Sequence, residues 1–442
     1  MDWGSRVALI LMLFSVTISG ENDSTDSSTT ENNPDHDHLA FAVNELGYKL
    51  MMETMKQNTD SNIVISPTGI AGLLAMTLLG SAGRTYDELA TALGFSQDIL
   101  TNRANHENFG ELLAGLNSNA SSQTLYADAI FVDARAQLRA LFREYLKRVY
   151  RGDALVTSFS DSGHAKDTIN EWIKNNTNGR IEDFLKEPLP TQTKVVLLCA
   201  LYFSGQWKHP FIPEYTVKMP FRSPGGDVMA DLMLNFGQFK YIFSVNDGLH
   251  MIALPYNDST TTMYVLKPRF PKRTSLPELM SRLNCSRINQ LINQMETNKA
   301  VIRFPKIDIK SSMNLEESLK ALGLTSMFSP REANFALMVK SEKEVDAKEN
   351  DLIAKIRSGD RPKEIKDEVN SLPNPGVYVE TVLHDVKIAI NEYGTEAVAA
   401  TSGILARSAE QFYADSPFYI CARCARDDVL LHVPRAVMMY EI

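Results

Sequence analysis

The chain has 442 residues, a formal net charge of −9 at pH 7 and a hydrophobic fraction of 44%. These values are typical of a globular protein with a large core, and the acidic balance argues against nucleic acid as a partner. A chain of this length suits two or three domains, although large sheet-based folds of similar size also form one.

The N-terminal residues have the pattern of a secretory signal peptide. Arg6 precedes an apolar run from Val7 to Val16, and small or polar residues follow up to residue 20. The run is too short to span a bilayer, so we expect removal of residues 1–20 and secretion to the extracellular space. Residues 21–37 are polar without apolar periodicity, which predicts a disordered lead-in. No other segment is apolar enough to span a membrane.

Cysteines and sequons fit a secreted chain that is large enough to fold without disulfides. Cys421 and Cys424 lie three residues apart on a predicted strand, so their side chains point to opposite faces. We therefore expect them, with Cys199 and Cys285, to be mostly free and partly buried thiols. Sequons predict surface glycosylation. They lie at Asn22, Asn119, Asn175, Asn257 and Asn284.

The predicted elements begin with helices. Apolar residues at helical spacing over 39–50 indicate a first helix. The stretch NIVISP, residues 62–67, predicts a short strand. Ser66 then caps a helix whose first residue is Pro67.

A capping box, Thr85 to Glu88, predicts the start of a further helix that closes on Gly94. The apolar run at 193–205 predicts a strand that is buried on both faces. Alternating stretches between Pro210 and Lys267 suggest antiparallel strands. Other helices are predicted at 136–152, 165–179 and 314–324, with two short ones before 300, and other strands at 125–132, 300–309, 377–391, 417–423 and 429–433.

Helices thus dominate the first half and strands the second, without βαβ alternation, which predicts an α+β fold. No internal repeat or linker is visible. One segment departs from the pattern, because Lys340–Asn370 is about half charged with mixed signs. We expect it to be a solvated helical or flexible excursion from the core.

Motifs of catalysis are absent from the chain. It has no G-x-S-x-G, H-E-x-x-H, P-loop or G-x-G-x-x-G motif, and its eight histidines show no ligand spacing. We therefore expect no enzymatic activity, no catalytic residues, no metal and no cofactor.

Several motifs, in one order, resemble the serpin family. The similar stretches run from about His38 to the C-terminus and include residues 62–95, 198–211, 391–401 and 412–418. The resemblance implies a single serpin-type domain over 38–442, interrupted by the insertion at 340–370. It further implies a large central β-sheet, further antiparallel sheets, about nine helices and an exposed reactive loop at 392–411.

The predicted loop has the composition of a strand. If it is cut, its N-terminal part is free to add to a sheet, and alternate side chains must then pack inside. The alternate set from Thr395 to Thr401 is small or β-branched, no proline interrupts it, and Gly394 gives conformational freedom. The hinge residues are Gly394, Thr395, Glu396, Ala397, Val398, Ala399, Ala400 and Thr401.

The resemblance implies suicide inhibition of a serine protease, which cleaves one bond of this loop. Arg407–Ser408 is the favoured bond, because trypsin-like proteases carry an aspartate that an arginine can pair. Glu392 to Arg407 spans 16 residues, one fewer than the commonest family spacing. That spacing would place the cut at Ser408–Ala409 and suggest an elastase-like target, and Leu405 is a third option.

Two further clusters carry over from the resemblance. Trp207, Lys306 and Glu392 match the family's breach, where the loop enters the sheet, and an ion pair between Lys306 and Glu392 is expected. Ser66 and His384 match the shutter, a polar cluster where strands part.

The shutter departs from the family pattern at two positions. Gly69 replaces the usual serine and Cys199 the usual asparagine. We expect the hydrogen bonding there to be rearranged.

The sequence allows alternatives for two kinds of partner, a protease and a glycosaminoglycan. The small-residue hinge favours an inhibitor that forms a covalent complex with its protease, most simply as a monomer; a non-inhibitory carrier, chaperone or storage protein is the alternative. A glycosaminoglycan could bind the basic helix, but a solvated basic face is the favoured explanation. The basic residues are Arg139, Arg143, Lys147, Arg148 and Arg151.

Overall fold

A computed structural model describes the chain over residues 34–57, 62–99, 101–116, 122–150, 152–223, 225–258, 261–342, 362–393 and 409–424. The helices are α1 (Pro34–Gln57), α2 (Pro67–Leu79), α3 (Gly83–Leu93), α4 (Arg103–Leu116), α5 (Ala140–Val149), α6 (Ser162–Asn176), α7 (Leu276–Arg282), α8 (Cys285–Asn293), α9 (Glu316–Ala321) and α10 (Pro362–Asn370).

The described residues also form fourteen strands, ten of which follow β4. They are β1 (Ser122–Asp133), β2 (Gln137–Leu138), β3 (Asp153–Thr157), β4 (Val195–Gly205), β5 (Ile212–Ser223), β6 (Gly226–Ser244), β7 (Leu249–Pro255), β8 (Thr261–Pro268), β9 (Glu296–Pro305), β10 (Ile307–Asn314), β11 (Val339–Lys340), β12 (Val379–Ile390), β13 (Glu410–Tyr413) and β14 (Tyr419–Cys424).

The strands form a five-stranded, a seven-stranded and a two-stranded sheet. The five-stranded sheet has the order β10-β12-β4-β1-β3, and the seven-stranded sheet has the order β13-β9-β6-β7-β8-β14 with β5 added against β6. The described residues contain ten α-helices beside these sheets, and the fold is α+β, as the sequence predicted.

Strand β4 lies at the centre of the five-stranded sheet, and all of its residues are buried, as its continuous apolar run predicted. One face packs on α6 through Ile169 and Ile173, which meet Leu198 and Phe131. The other face belongs to the main core and faces α2. The sheet is therefore covered on both sides along its middle strands.

Strands β4 and β12 pair directly with each other. They run parallel, from Val379 opposite Val195 to Ile388 opposite Phe203, with one register shift between Val379 and Thr381. This pairing forms one continuous boundary through the sheet, which we call the β4–β12 seam.

Some element predictions were wrong. Residues 63–65 are buried but belong to no strand among the described residues. They lead directly to Ser66, the residue that caps α2. Thr85 and Glu88 form no capping box, since α3 begins at Gly83 after Ala82. Their side chains accept hydrogen bonds from the later segment 326–334 instead.

Other boundaries moved, while several caps were predicted correctly. Helix α1 begins at Pro34, inside the predicted polar lead-in, and proline suits a first helical position. Gly94 ends α3 with φ of 69°, the left-handed conformation that glycine adopts without strain. Strand 429–433 lies outside the described residues. Over the part that the structure describes, no helix has the length and apolar character needed to cross a bilayer.

The charged segment 340–370 is described only at its two ends. Residues 362–370 form α10. The sequence predicted a solvated segment here, but part of this helix is buried. Ile365 and Val369 are buried against Ala82. Residues 343–361 lie outside the described residues.

Candidate functional site

The predicted reactive loop is described only at its ends. Before it, β12 ends at Ile390 in the five-stranded sheet, and after it, β13 begins at Glu410 in the seven-stranded sheet. The hinge 394–401 and the bond Arg407–Ser408 lie outside the described residues. The loop therefore connects two different sheets.

The β4–β12 seam has the geometry to accept the first part of this loop. The chain leaves β12 at its C-terminal end, so a segment that turned back along β12 would run antiparallel to it. Because β4 is parallel to β12, the same segment would be antiparallel to β4 as well. One parallel ladder would be exchanged for two antiparallel ladders, which are slightly more stable per residue.

Trp207 holds the chain at the end of β12. Its indole Nε1–H donates to the carbonyl oxygen of Asn391 at 3.0 Å, and its backbone N–H donates to that of Tyr393 at 3.3 Å. Its ring stacks on Tyr256 with the centroids 4.4 Å apart. Trp207 is buried, so the residue that resembles the family's breach tryptophan also anchors the base of the loop.

Glu392 is bound from two sides although it is only 5% exposed. Lys306 Nζ lies 2.6 Å from Glu392 Oε1, so the expected ion pair is present. Thr216 Oγ1 donates to the same oxygen at 2.7 Å. Burial alone would raise the pKa of Glu392, but Lys306 and Thr216 outweigh it and hold that pKa below its usual value.

Replacing Lys306 by methionine is expected to lower the free energy of unfolding by about 1–2 kcal/mol near neutral pH. Lys306 is 43% exposed, so this value is smaller than for a fully buried pair. Because the pKa of Glu392 is lowered in the folded state, the stabilisation is present above the usual glutamate range and is lost as the pH falls through the folded pKa. Chemical unfolding near neutral pH and near pH 4 checks both points.

Lys208→Met is the matched control, since Lys208 is an exposed lysine after β4 with no ion pair among the described residues. An equal loss in both variants, or a loss for Lys306→Met that stays constant with pH, would contradict the assigned role of Glu392.

Ser66 and His384 meet at the centre of the five-stranded sheet, on the side of α2. The backbone N–H of Ser66 donates to His384 Nε2 at 3.0 Å. Ser66 Oγ accepts from the Gly69 N–H at 3.3 Å and donates to the Tyr126 hydroxyl at 3.2 Å. Burial lowers the pKa of His384 to about 4, so the ring is neutral near pH 7.

The two departures from the family pattern fit each other. A Cβ atom at Gly69 would lie 2.8 Å from Cys199 Sγ, which leaves no room for a larger residue there. The Cys199 thiol hydrogen-bonds to the carboxyl group of Asp128. The rearrangement expected from the sequence therefore recruits Asp128, which sequence analysis missed. Its signal was a single acidic residue within the apolar run LYADAIFV.

The cysteine side chains that the structure describes are buried. Cys199 and Cys421 lie on strands, and the Cys285 thiol donates to the carbonyl oxygen of Asn44 at 3.3 Å. Both cysteines of the C-x-x-C pair belong to β14, as predicted.

Three of the predicted glycosylation sites are exposed asparagines, namely Asn175, Asn257 and Asn284. Asn284 Oδ1 caps α8 by accepting from the Arg287 N–H, while its Nδ2 stays available for a glycan. Asn22 and Asn119 lie outside the described residues, and glycosylation remains a prediction.

The predicted basic helix is partly neutralised. Arg139 is buried and donates to the carbonyl oxygen of Ala336 at 2.7 Å. Arg143 and Lys147 both pair with Asp153 at 3.4 Å. The Arg148 guanidinium lies 4.5 Å from the centroid of the Tyr145 ring, and Arg151 lies outside the described residues.

Comparison with known proteins agrees with this geometry. The family model described as serpin, serine protease inhibitor, matches residues 41–438. The chain belongs to the serpin family.

Among its relatives, plasminogen activator inhibitor 1 of Sus scrofa is 31% identical over 397 residues, which cover 88% of this chain and 90% of the relative. Glia-derived nexin of Rattus norvegicus is 30% identical over 392 residues, covering 86% and 88%. The crystal structure of native protease nexin-1 with heparin matches with a TM-score of 0.75 and 25% identity, over 90% of this chain and 98% of that chain.

Proposed function

We propose that this protein is a secreted inhibitor of a trypsin-like serine protease, which it traps as an acyl-enzyme by inserting the cleaved reactive loop into the β4–β12 seam. The observation that carries the proposal is the direct parallel pairing of these two strands beside the start of the loop. The relatives support inhibition, since one is named for the inhibition of a plasminogen activator.

The chemistry begins as ordinary proteolysis. The protease serine attacks the carbonyl carbon of Arg407, the peptide bond to Ser408 breaks, and the Ser408 amine leaves with a proton. Arg407 is then joined to the protease by an ester. Residues from Gly394 to Arg407 remain covalently attached to β12, while Ser408 remains attached to β13.

Insertion then competes with hydrolysis of the ester. The freed segment enters the seam antiparallel to β4 and β12 and pulls the attached protease along the sheet. About ten new ladder hydrogen bonds at about 1 kcal/mol each would stabilise the inserted form by on the order of 10 kcal/mol. The uncut form is then kinetically trapped. Distortion of the protease active site before water attacks the ester makes the complex permanent.

The identity of the cleaved bond determines the target class. An arginine before the cut pairs with an aspartate in the specificity pocket of trypsin-like proteases, which favours Arg407–Ser408. A cut at Ser408–Ala409 would indicate an elastase-like target, and a cut after Leu405 a protease that prefers large apolar residues.

Incubation with trypsin is expected to produce an adduct that survives SDS and to release a C-terminal fragment that begins at Ser408. Mass spectrometry of the fragment identifies the cut. Trypsin with its active-site serine blocked should give neither product. Clean cleavage without an adduct would favour a non-inhibitory carrier, chaperone or storage protein, and a fragment that begins at Ala409 would move the reactive bond by one residue.

A further inference from the structure

Asp128, Cys199 and His384 form a row across three neighbouring strands. Cys199 on β4 is opposite Asp128 on β1 and also opposite His384 on β12. Cys199 and His384 are fully buried and Asp128 is partly buried. The row crosses the β4–β12 seam, with His384 on one side and the other two residues on the opposite side.

Asp128 has few groups that can stabilise a negative charge. The Cys199 thiol hydrogen-bonds to its carboxyl group, and a thiol is a weak donor. Asp128 Oδ1 is buried and has no hydrogen-bond partner among the described residues. Burial raises the pKa of Asp128 to about 7.

The elements packed around Asp128 bring no cation to it. Helix α2 contains no ionisable side chain. On β1 the nearest titratable group on the same face is the Tyr126 phenol, and on β12 it is the neutral His384. On α4, His106 is buried against the Tyr150 hydroxyl with 2.5 Å between His106 Nδ1 and Tyr150 Oη.

The opposite face of the sheet carries its own charged groups, and among them Asp385 acts on the Cys199 thiol through its charge. Asp385 points there and pairs with Lys310 at 3.1 Å. Helix α6, which covers that face, carries the ionisable residues His164, Lys166, Asp167, Glu171 and Lys174.

We propose that Asp128, Cys199 and His384 form a proton-controlled latch, in which protonated Asp128 keeps the β4–β12 seam closed and loss of its proton speeds the opening of the seam. The proposal rests on the proposed function, because it concerns the same opening that loop insertion requires. In this latch the role of Asp128 depends on its carboxyl group, and the role of Cys199 depends on its thiol.

The direction of the effect follows from hydration. In the closed sheet, a carboxylate at Asp128 would be poorly solvated, with only a thiol as donor. Opening the seam separates His384 on β12 from Cys199 on β4 and admits water between the two strands, so the carboxylate is better solvated in the open sheet. Ionisation therefore favours the open sheet, and opening should be faster above the pKa of Asp128 than below it.

The test uses a peptide of residues 397–405, AVAATSGIL, acetylated and amidated so that it carries no ionisable group. Native mass spectrometry follows the rate at which the intact protein binds one peptide, from about pH 5.5 to about pH 8.5. The wild-type binding rate is expected to rise about tenfold for each unit by which the pKa of Asp128 is lower in the open sheet than in the closed sheet.

Asp128→Asn should remove the pH dependence and keep the slow rate across the range. Asp385→Asn is the matched control, since it removes a buried carboxyl group of the same sheet on the other face, and it should keep the wild-type rise. Cys199→Ser gives a second test if Asp128→Asn does not fold. A hydroxyl is a stronger donor than a thiol, so the midpoint of the rise should move to lower pH.

A wild-type rate that does not change with pH would overturn the latch while leaving loop insertion intact. A rise that persists in Asp128→Asn, disappears in Asp385→Asn or keeps its midpoint in Cys199→Ser would overturn it as well. If no peptide binds at any pH, the seam does not open, and both the latch and the proposed insertion fail.

Discussion

Cleavage of the Arg407–Ser408 bond is expected to raise the midpoint of thermal unfolding by on the order of 10–20 °C, since about 10 kcal/mol of ladder hydrogen bonding is gained in a large domain. The reason is the direct pairing of β4 with β12. The intact loop connects two sheets, and in the proposed mechanism its first part inserts fully into the seam only after the bond is broken.

Calorimetry of the intact and the nicked protein measures this change. An Arg407→Gln variant, treated with trypsin in parallel, should remain intact at this bond and keep its original midpoint. A nicked wild type that unfolds within a few degrees of the intact protein would contradict insertion, because the new strand would then have found no place in the sheet.

Thr395→Arg is expected to convert the inhibitor into a substrate and to raise the number of inhibitor molecules consumed per protease trapped at least tenfold. Thr395 belongs to the alternate set that must pack inside the sheet, and a buried arginine without a partner costs several kcal/mol. Insertion slows, and water releases the protease from the ester first. Titration of trypsin with the variant measures the stoichiometry, and gel electrophoresis shows cleaved protein in place of the adduct.

Glu396→Arg is the matched control for this prediction. It places the same side chain one residue further along the loop, where it would point to the other face of the sheet. Its stoichiometry should stay close to that of the wild type. If Thr395→Arg traps protease as efficiently as the wild type, insertion of the hinge is not the mechanism of inhibition.

The parts of the fold that sequence predicted were those with a strong local pattern. The unbroken apolar run of β4 indicated a strand buried on both faces, and the pattern over 165–179 indicated the helix α6. The resemblance to serpins brought Lys306 and Glu392 together although 86 residues separate them, because it supplied the long-range pairing that no local pattern contains.

The parts that sequence did not predict depend on packing between distant segments. Thr85 and Glu88 have the spacing of a capping box, but the segment that follows α9 uses both side chains as acceptors. Residues 63–65 have the composition of a strand, yet they are buried in the core without pairing to a strand. Gly69 and Cys199 were visible only as departures from a pattern, since their fit to each other and to Asp128 requires the register of β1 and β4.

The attachment of the loop to two sheets bears on whether the cut is reversible. A protease can rejoin a bond only while the new amine stays beside the acyl group, and many tight complexes persist by such religation. Here the Ser408 amine would stay with β13, while the ester moves with the incoming strand at about 3.3 Å per inserted residue. If insertion proceeds as proposed, the two ends are out of reach after a few residues, and the separation of the anchors would make the first chemical step one-way.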